Sequence, residues 1–519
     1  MRCLYLVLAV CFINSQMVKS QEKNISADLI LLYDYVLDSH PNIKSGELQL
    51  KCAVADRQSA LGRFDLNVIS SLDYSFDQNG LFSEDPTTNL IGSNLNAHNL
   101  LVSSGIAKRF RSGIDMTASI SYGRIANNLP LNAFNENIGP FVADNTTSVD
   151  ISLVYPLLRN RGRDIVIAGE SLADLSIAAE TSNLKTTISQ SVFSMTMAYW
   201  EYLFASQSYS VYRSNEERVE KVLINTKELV SAERRPESDL LQIEADLLDK
   251  SRQSFIAEQQ KIAAKLNLGR AVGLGSDESE LISIPLSQFP DVLKANEVPA
   301  VQGFLAFARK YRPDLQVLRE ILEQFRINKR LAENNTKPQL DLSAFSSYSG
   351  TQNGNNIANV LSALGQSQGR NYHTGIGLSY RFPIQNNAAK GAQLKASLQV
   401  EDQEVRLDNQ IRNIELSISI AHSNLLNSIT TVEKAEKALN YYREVYENEQ
   451  IKFRSGLTTL LNVIIFQERL TFSELDFLRA QFQYASAITE LRFRTGMNTI
   501  SNDRSDSIHD LFYSLPRQN

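Results

Sequence analysis

The strongest constraint in this sequence is a helical run from Asn387 to about Gly496, broken once at Arg454, Ser455, Gly456 and Leu457. From Ala392 to Phe453 it holds almost no helix breaker, and Ile411, Ile414, Ile418, Ala421, Leu425, Ile429 and Val432 recur at alternating steps of three and four. So narrow and regular a stripe is a coiled-coil seam rather than the broader face of a globular helix. At ~1.5 Å per residue the arm before the break is roughly 100 Å long, several times the width of an ordinary domain. A second amphipathic arm runs from Thr459 to about Arg494 and carries Leu460, Leu461, Ile464, Leu470, Leu475, Leu478, Phe482, Ile488 and Leu491. Two arms joined by a tight turn containing Gly456 make an antiparallel helical hairpin.

Earlier in the chain the period changes to two. Residues 27–60 predict a helix broken at His40 and Pro41. Phe64, Leu66, Val68, Leu72, Tyr74 and Phe76 then share one face, while Asp65, Asn67, Ser71, Asp73 and Ser75 take the other. Such a strand suits a half-buried sheet in water, or a barrel strand with its apolar face to lipid and its polar face to a lumen. Residues 77–100, rich in Asn, Ser, Asp and Gly, predict an exposed loop. Ile114, Met116, Ala118, Ile120 and Tyr122 alternate next, in a segment (100–124) with no assigned place. Val149, Ile151, Leu153 and Tyr155 follow, ending at Pro156. From about Asn160 the helical period returns and continues to Leu268, punctuated at Arg234, Arg235 and Pro236.

The order then repeats beyond a linker at 269–300. Arg312 and Pro313 open a helix as His40 and Pro41 do. Leu340, Leu342, Ala344 and Tyr348 alternate, a Gly, Asn and Ser-rich loop spans 349–371, and Ile376, Leu378, Tyr380 and Phe382 alternate up to Pro383. The expected organisation is therefore an export signal (1–20), a first repeat over 21–268 with strands 64–76 and 147–156 and hairpin 160–268, and a second over 301–498. The second holds strands 338–348 and 374–383 and hairpin 387–497, with a tail at 499–519. An internal duplication of this size outweighs any single motif. Four strands of the lipid type cannot close a barrel alone, and open edges are intolerable in a bilayer, so several protomers must share one barrel.

Composition sets the exclusions. The chain has 519 residues and a formal charge of −6, with Lys and Arg mixed among Asp and Glu, so no nucleic-acid footprint is present. The first residues carry Arg2, an apolar core from Leu4 to Ile13 and small residues ending at Ser20, which fits a cleaved signal. Cys11 follows Leu8, Ala9 and Val10, but Val10 is bulky for a lipoprotein cleavage box, so Cys11 belongs to the discarded signal. Cys52 is then the only mature cysteine, which excludes an intrachain disulfide. No later run of about 18 apolar residues predicts a membrane helix, so a membrane form must be a β-barrel. The histidines at 40, 98, 373, 422 and 509 lack metal-ligand spacing, and Gly269, Gly273 and Gly275 do not match a dinucleotide fingerprint. Neither an enzyme nor a cofactor is expected.

Three stretches carry a family resemblance: the openings at His40-Pro41 and Arg312-Pro313, the strand-to-helix passage Tyr155-Pro156-Leu157-Leu158-Arg159-Asn160-Arg161-Gly162-Arg163, and the turn from Phe453 to Val463. Together they resemble the TolC family of bacterial outer-membrane efflux and secretion channels, over about residues 27–498. The resemblance implies an α+β homotrimer with a twelve-stranded barrel in outer-membrane lipid, four strands per protomer, continuing into a periplasmic α-helical coiled-coil barrel. It also implies a passive duct coupled through a periplasmic adaptor to an inner-membrane transporter of the resistance-nodulation-division or ABC type. The competing reading is a secreted coiled-coil structural or adhesive protein with no pore.

Carried onto this sequence, the entrance and adaptor-contact tips are Arg234, Arg235 and Asp239 in one hairpin and Arg454, Gly456, Leu457 and Asn462 in the other. The membrane–periplasm junction is Tyr155, Pro156, Phe382 and Pro383. Some members of the family have acidic rings just past the second turn, where this chain has Asn462 and Ile465; Asp239 keeps the acidic position in the first. The first turn lacks glycine, so the two tips are expected to differ. Gly456 is also the expected left-handed cap of its helix, and Asp239 suits a helix N-cap equally well. Trp200, within a helical arm, is expected to be packing.

Overall fold

The computed structural model describes residues 26–80, 94–128, 142–354 and 370–497, together with Phe512. The signal, Cys11 and, apart from Phe512, the tail lie outside the described residues. The chain divides into two compact units: residues up to 50, 180–317 and from 407 onward form one, and 51–179 with 318–406 form the other.

The second unit is built on a single antiparallel sheet of β1 (Leu66–Gly80), β2 (Asn94–Arg109), β3 (Asp115–Asn127), β4 (Val142–Pro156), β5 (Gln339–Asn353) and β6 (Arg370–Arg381), hydrogen-bonded in that order. The described residues thus hold six strands where four were expected. β1, β4, β5 and β6 lie at the four expected places, each with shifted bounds. The unplaced segment 100–124 holds the end of β2 and most of β3, and β3 is paired with β2 on one side and β4 on the other. β2 occupies residues read in part as loop. Its signal is weak because Leu100, Leu101 and Val102 run together and break the alternation, and because Gly105 interrupts its polar face. That glycine has a packing reason: a Cβ there would lie 2.7 Å from the Ala118 carbonyl oxygen and 2.7 Å from the Ser119 Cβ. The predicted loops are shorter than their sequence suggests, since β1 runs to Gly80 and β5 to Asn353.

The first unit is helical, and several of its helices run on into residues of the second, which also holds the short helix at 163–166. Asp28 caps α1 (Leu29–Ser39) by accepting the Ile30 N–H at 3.2 Å. Pro41 opens α2 (Pro41–Leu61) and holds His40 extended, with ψ 126°. The same joint recurs between α7 (Val301–Tyr311) and α8 (Pro313–Asn335), where Arg312 has ψ 124°. After the short α3 (Arg163–Val166) come α4 (Ala168–Ser231, 64 residues) and α5 (Glu237–Val272, 36 residues). Their counterparts are α9 (Asn387–Arg454, 68 residues) and α10 (Leu460–Thr495, 36 residues). No described helix is long and apolar enough to cross a membrane.

The stretch expected as a linker is ordered packing. α5 continues to Val272, α6 (Ser276–Glu280) follows, and Ile282 and Phe289 are buried. The Tyr202 hydroxyl donates to the Ser283 carbonyl at 3.2 Å, and the Tyr484 hydroxyl to that of Asp291 at 3.1 Å. Phe289 packs 5.9 Å from the Trp200 ring. Trp200 is fully buried, donates its indole N–H to the Thr489 hydroxyl at 3.1 Å, and stacks edge-on against Tyr199. It ties α4 to α10. Trp200→Ala is expected to cost about 3–5 kcal/mol, since it removes a large buried ring. A drop in unfolding midpoint larger than that for Trp200→Phe checks this.

Candidate functional site

The two hairpin tips share one turn. In the second, α9 ends at Arg454 and Gly456 sits in the left-handed region at φ 76°. The Gly456 N–H donates to the Phe453 carbonyl at 3.0 Å and the Leu457 N–H to that of Lys452 at 2.9 Å, the reciprocal pair of a Schellman cap. In the first tip Glu233 takes the same place at φ 58°. Its N–H donates to the Val230 carbonyl at 2.9 Å, and the Arg234 N–H to that of Leu229 at 2.9 Å. Backbone geometry is therefore common to both tips, and the expected difference resides in side chains and strain.

The N-cap assignment is corrected. Pro236 holds the N-cap of α5 without a side-chain bond, while Asp239 is the third helical residue. Proline has no N–H to satisfy and presets the turn, so Asp239 is free to face the helix N-terminus and Arg235, at 3.9 Å. In the second tip Thr459 is the cap, accepting the Asn462 N–H at 3.4 Å. Asn462 there occupies the position of Asp239.

Arg235 joins the tips. Its guanidinium donates to the Thr458 carbonyl at 2.8 Å and lies over the Phe453 ring, 5.0 Å from the centroid. The Thr458 hydroxyl donates to the Glu449 carboxylate, and the Asn462 side-chain amide donates to the same hydroxyl at 3.1 Å. That hydroxyl bond, aided by Lys452, holds the Glu449 carboxyl below the usual glutamate range. Behind the turns Val219, Val222, Leu223, Ile243, Phe453, Leu460 and Val463 form one apolar cluster. Arg234, Arg454, Gly456 and Asn462 remain exposed, as does Leu457 at 78%. A Cβ on Gly456 would meet nothing within 4 Å, so the surface beside it is open.

Further along the hairpins the contacts become ionic, which sequence reasoning missed because Glu468 and Glu474 lie more than 200 residues from Lys250 and Arg218. Lys250 is buried and pairs with Glu468 at 2.7 Å and Asp246 at 3.2 Å. Burial works against the charge on Lys250, yet these carboxylates hold its ammonium pKa above the usual lysine value. Burial raises the Asp246 carboxyl, outweighing the opposing pull of Lys250. Arg218 donates to Glu474 at 2.9 Å and to the Thr471 hydroxyl at 3.2 Å.

At the residues expected to form the junction, the strand-to-helix passages are fixed by asparagines. After Tyr155 and Pro156, the Leu157 N–H donates to the Leu340 carbonyl at 2.7 Å, and Asn160 turns left-handed at φ 64°. Its N–H donates to the Asn334 side chain at 2.8 Å. After Phe382 and Pro383, Asn386 does the same at φ 47° and donates its amide to the Thr336 carbonyl at 2.9 Å.

Residues 305–497 match the family model described as outer membrane efflux protein. No curated protein matches the chain by sequence. The fold resembles that of the outer-membrane channel OprN, with TM-score 0.64, 15% identity, and coverage of 90% of this chain and 89% of that one. It resembles the outer membrane protein VceC from Vibrio cholerae at TM-score 0.62 and 15% identity, over 90% and 96% of the two chains. The Campylobacter jejuni CmeC outer membrane channel matches at TM-score 0.60 and 14% identity, over 94% and 90%. At these identities the likeness is one of fold.

The strained Glu233 and relaxed Gly456 predict opposite responses. A left-handed non-glycine residue costs about 1–2 kcal/mol, part of which glycine returns as unfolded-chain entropy. Glu233→Gly should stabilise by roughly 0.5–1 kcal/mol and Gly456→Ala destabilise by about 1 kcal/mol. Denaturant midpoints of the two variants check the signs.

Proposed function

We propose, from the premise that residues 305–497 belong to the outer membrane efflux protein family, that this chain is an outer-membrane export channel, a passive duct of a tripartite efflux pump or type I secretion system. On this reading the sheet lies in the outer membrane, the helical hairpins are periplasmic, three copies assemble, and the hairpin tips meet a periplasmic adaptor that couples the duct to an inner-membrane transporter. The paired helix lengths, with the joints at His40-Pro41 and Arg312-Pro313, support an origin by internal duplication.

The observation that carries the reading is the exposed apolar face of the sheet. Val68, Leu72 and Tyr74 on β1 and Tyr372, Ile376, Leu378 and Tyr380 on β6 are all exposed. In water such a face would be covered or would aggregate, whereas in a bilayer it meets lipid. From Tyr372 to Phe382 the strand direction covers roughly 34 Å, which at a barrel tilt of about 40° spans about 25 Å of membrane. The opposite face suits a wet lumen, since the pairing register puts Ser71, Ser103, Ser121, Ser148 and Ser349 in one row across five strands. A secreted adhesin would need neither face in this form.

Two outcomes are expected. Purified protein should run as a heat-sensitive trimer and form pores in planar bilayers; monomeric, non-conducting protein soluble without detergent would overturn the reading. The lumen face carries Asp73, Asp77, Asp144, Asp150 and Asp341 besides the Arg109–Asp115 pair at 3.3 Å, so the pore should prefer cations. Asp73→Asn with Asp150→Asn should shift the reversal potential toward zero in a salt gradient. For the tips, Gly456→Trp should abolish export in cells while the trimer still forms.

A further inference from the structure

The β2–β3 hairpin is an addition to the four-strand plan, and four observations place it within the membrane wall. β2 pairs with β1 over the whole of Leu66–Gly80, and β3 with β4 from Asp115–Val154 to Asn127–Val142, so neither strand peels away from its neighbour. The two-faced pattern continues through β3, while in β2, where Leu100 to Val102 break it, Val102 and Ile106 against Ser103 and Gly105 carry it. Ile106, Met116, Ala118 and Ile120 fall in register with Val68, Ile151 and Leu153, while Gly105, Thr117, Ser119 and Ser121 share the polar face of Asp150 and Ser148. Across that face the Ser71 and Ser103 hydroxyls lie 2.9 Å apart, and those of Ser121 and Ser148 2.7 Å apart.

The turn of the hairpin supplies the fourth observation. Phe110 to Ile114 close it tightly, with the Phe110 N–H donating to the Ile114 carbonyl at 2.8 Å and Gly113 at φ 93°. Arg111 pairs with Glu170 of α4 at 3.1 Å and lies over Phe64, 5.1 Å away. The short turn is therefore fastened at the helix end of the sheet, and the longer connections 81–93 and 129–141 join strands at its other end. Outer-membrane barrels carry short turns on the periplasmic side and long loops outside.

Resting on the channel reading above, we propose that each protomer contributes six strands to a shared barrel, so that three copies close a ring of eighteen strands rather than twelve. The edges to be closed are β1 and β6. They run antiparallel, both present exposed apolar residues, and neither can stay open in lipid. The occupant of each edge is a second copy of this chain, β6 of one against β1 of the next. Barrel diameter grows about linearly with strand number, so the lumen would be about one and a half times as wide as a twelve-stranded one, in the size class that keeps an aqueous channel.

The test uses full-length protein in lipid nanodiscs. Cryo-electron microscopy should count three copies and eighteen strands. Twelve strands, from two copies or from three with the hairpin outside the wall, overturns the inference and leaves a channel. Spin labels at Ala118→Cys, Ser119→Cys, Ile120→Cys and Ser121→Cys, in a Cys52→Ser background, give an independent readout. Oxygen should relax labels 118 and 120 more than a water-soluble nickel chelate does, with the order reversed at 119 and 121. Chelate access at all four, while Ile151→Cys and Asp150→Cys in β4 still alternate, places the hairpin in water and overturns the proposal. If β4 also fails to alternate, the channel reading falls with it.

Discussion

Inside a bilayer no water is available to backbone donors and acceptors, and a sheet there must leave no edge unpaired. For a chain read as an outer-membrane channel, this constraint makes the sheet an incomplete object. Among the described residues β2 to β5 are paired on both sides, but β1 and β6 each keep one free ladder, so these strands alone do not satisfy their own backbone. Assembly is then a condition for membrane stability. The side chains follow the same constraint in the main: most apolar residues lie on the face away from the serine row, and hydroxyls, amides and aspartates predominate on the other, with Ile69, Leu101 and Phe345 as exceptions.

The helical unit answers a different problem with the same device of pairing. Arms of 64 and 68 residues cannot be stabilised by local propensity alone, and each folds back on a 36-residue partner. Apolar clusters alternate with buried polar links such as Trp200–Thr489 and Gln467–Asn215, and with the buried Lys250 ammonium paired to the exposed Glu468. An apolar seam of this length would tolerate slippage by one turn. Polar links that are satisfied in one alignment make every other alignment leave a buried donor or charge unpaired, which fixes the register.

Much of this was legible because periodicity is a local property. The seam of Ile414, Ile418, Ala421 and Leu425 announced α9, and alternation announced β1, β4, β5 and β6. The proline joints were visible because proline restricts its predecessor whatever the surroundings. β2 was illegible for a physical reason: its three consecutive apolar residues and its Gly105 become intelligible only beside Ala118 and Ser119 of β3, a contact no local pattern encodes. The segment expected to be a linker misled similarly. Its Gly and Pro residues mark turns, but Ile282 and Phe289 are buried by α4 residues far away in sequence. Among the tip residues the turn itself was readable from Gly456, whereas the link from Arg235 to Thr458 and Phe453 depends on two hairpins meeting.

The tips separate what a turn needs from what a surface offers. Both use the same cap, five residues between helices and one left-handed residue, yet one places glycine there and the other glutamate. Glutamate costs about 1–2 kcal/mol at such a position. The apolar cluster behind the turns and the Arg235 contacts hold the conformation regardless, so backbone preference does not decide which residue occupies it. What differs is the surface presented: a carboxylate, two arginines and a proline on one tip, and an open glycine beside exposed Leu457 on the other. An adaptor reading both tips around a ring would therefore meet alternating charged and apolar sites on a repeating backbone, and its own contacts would have to alternate to match.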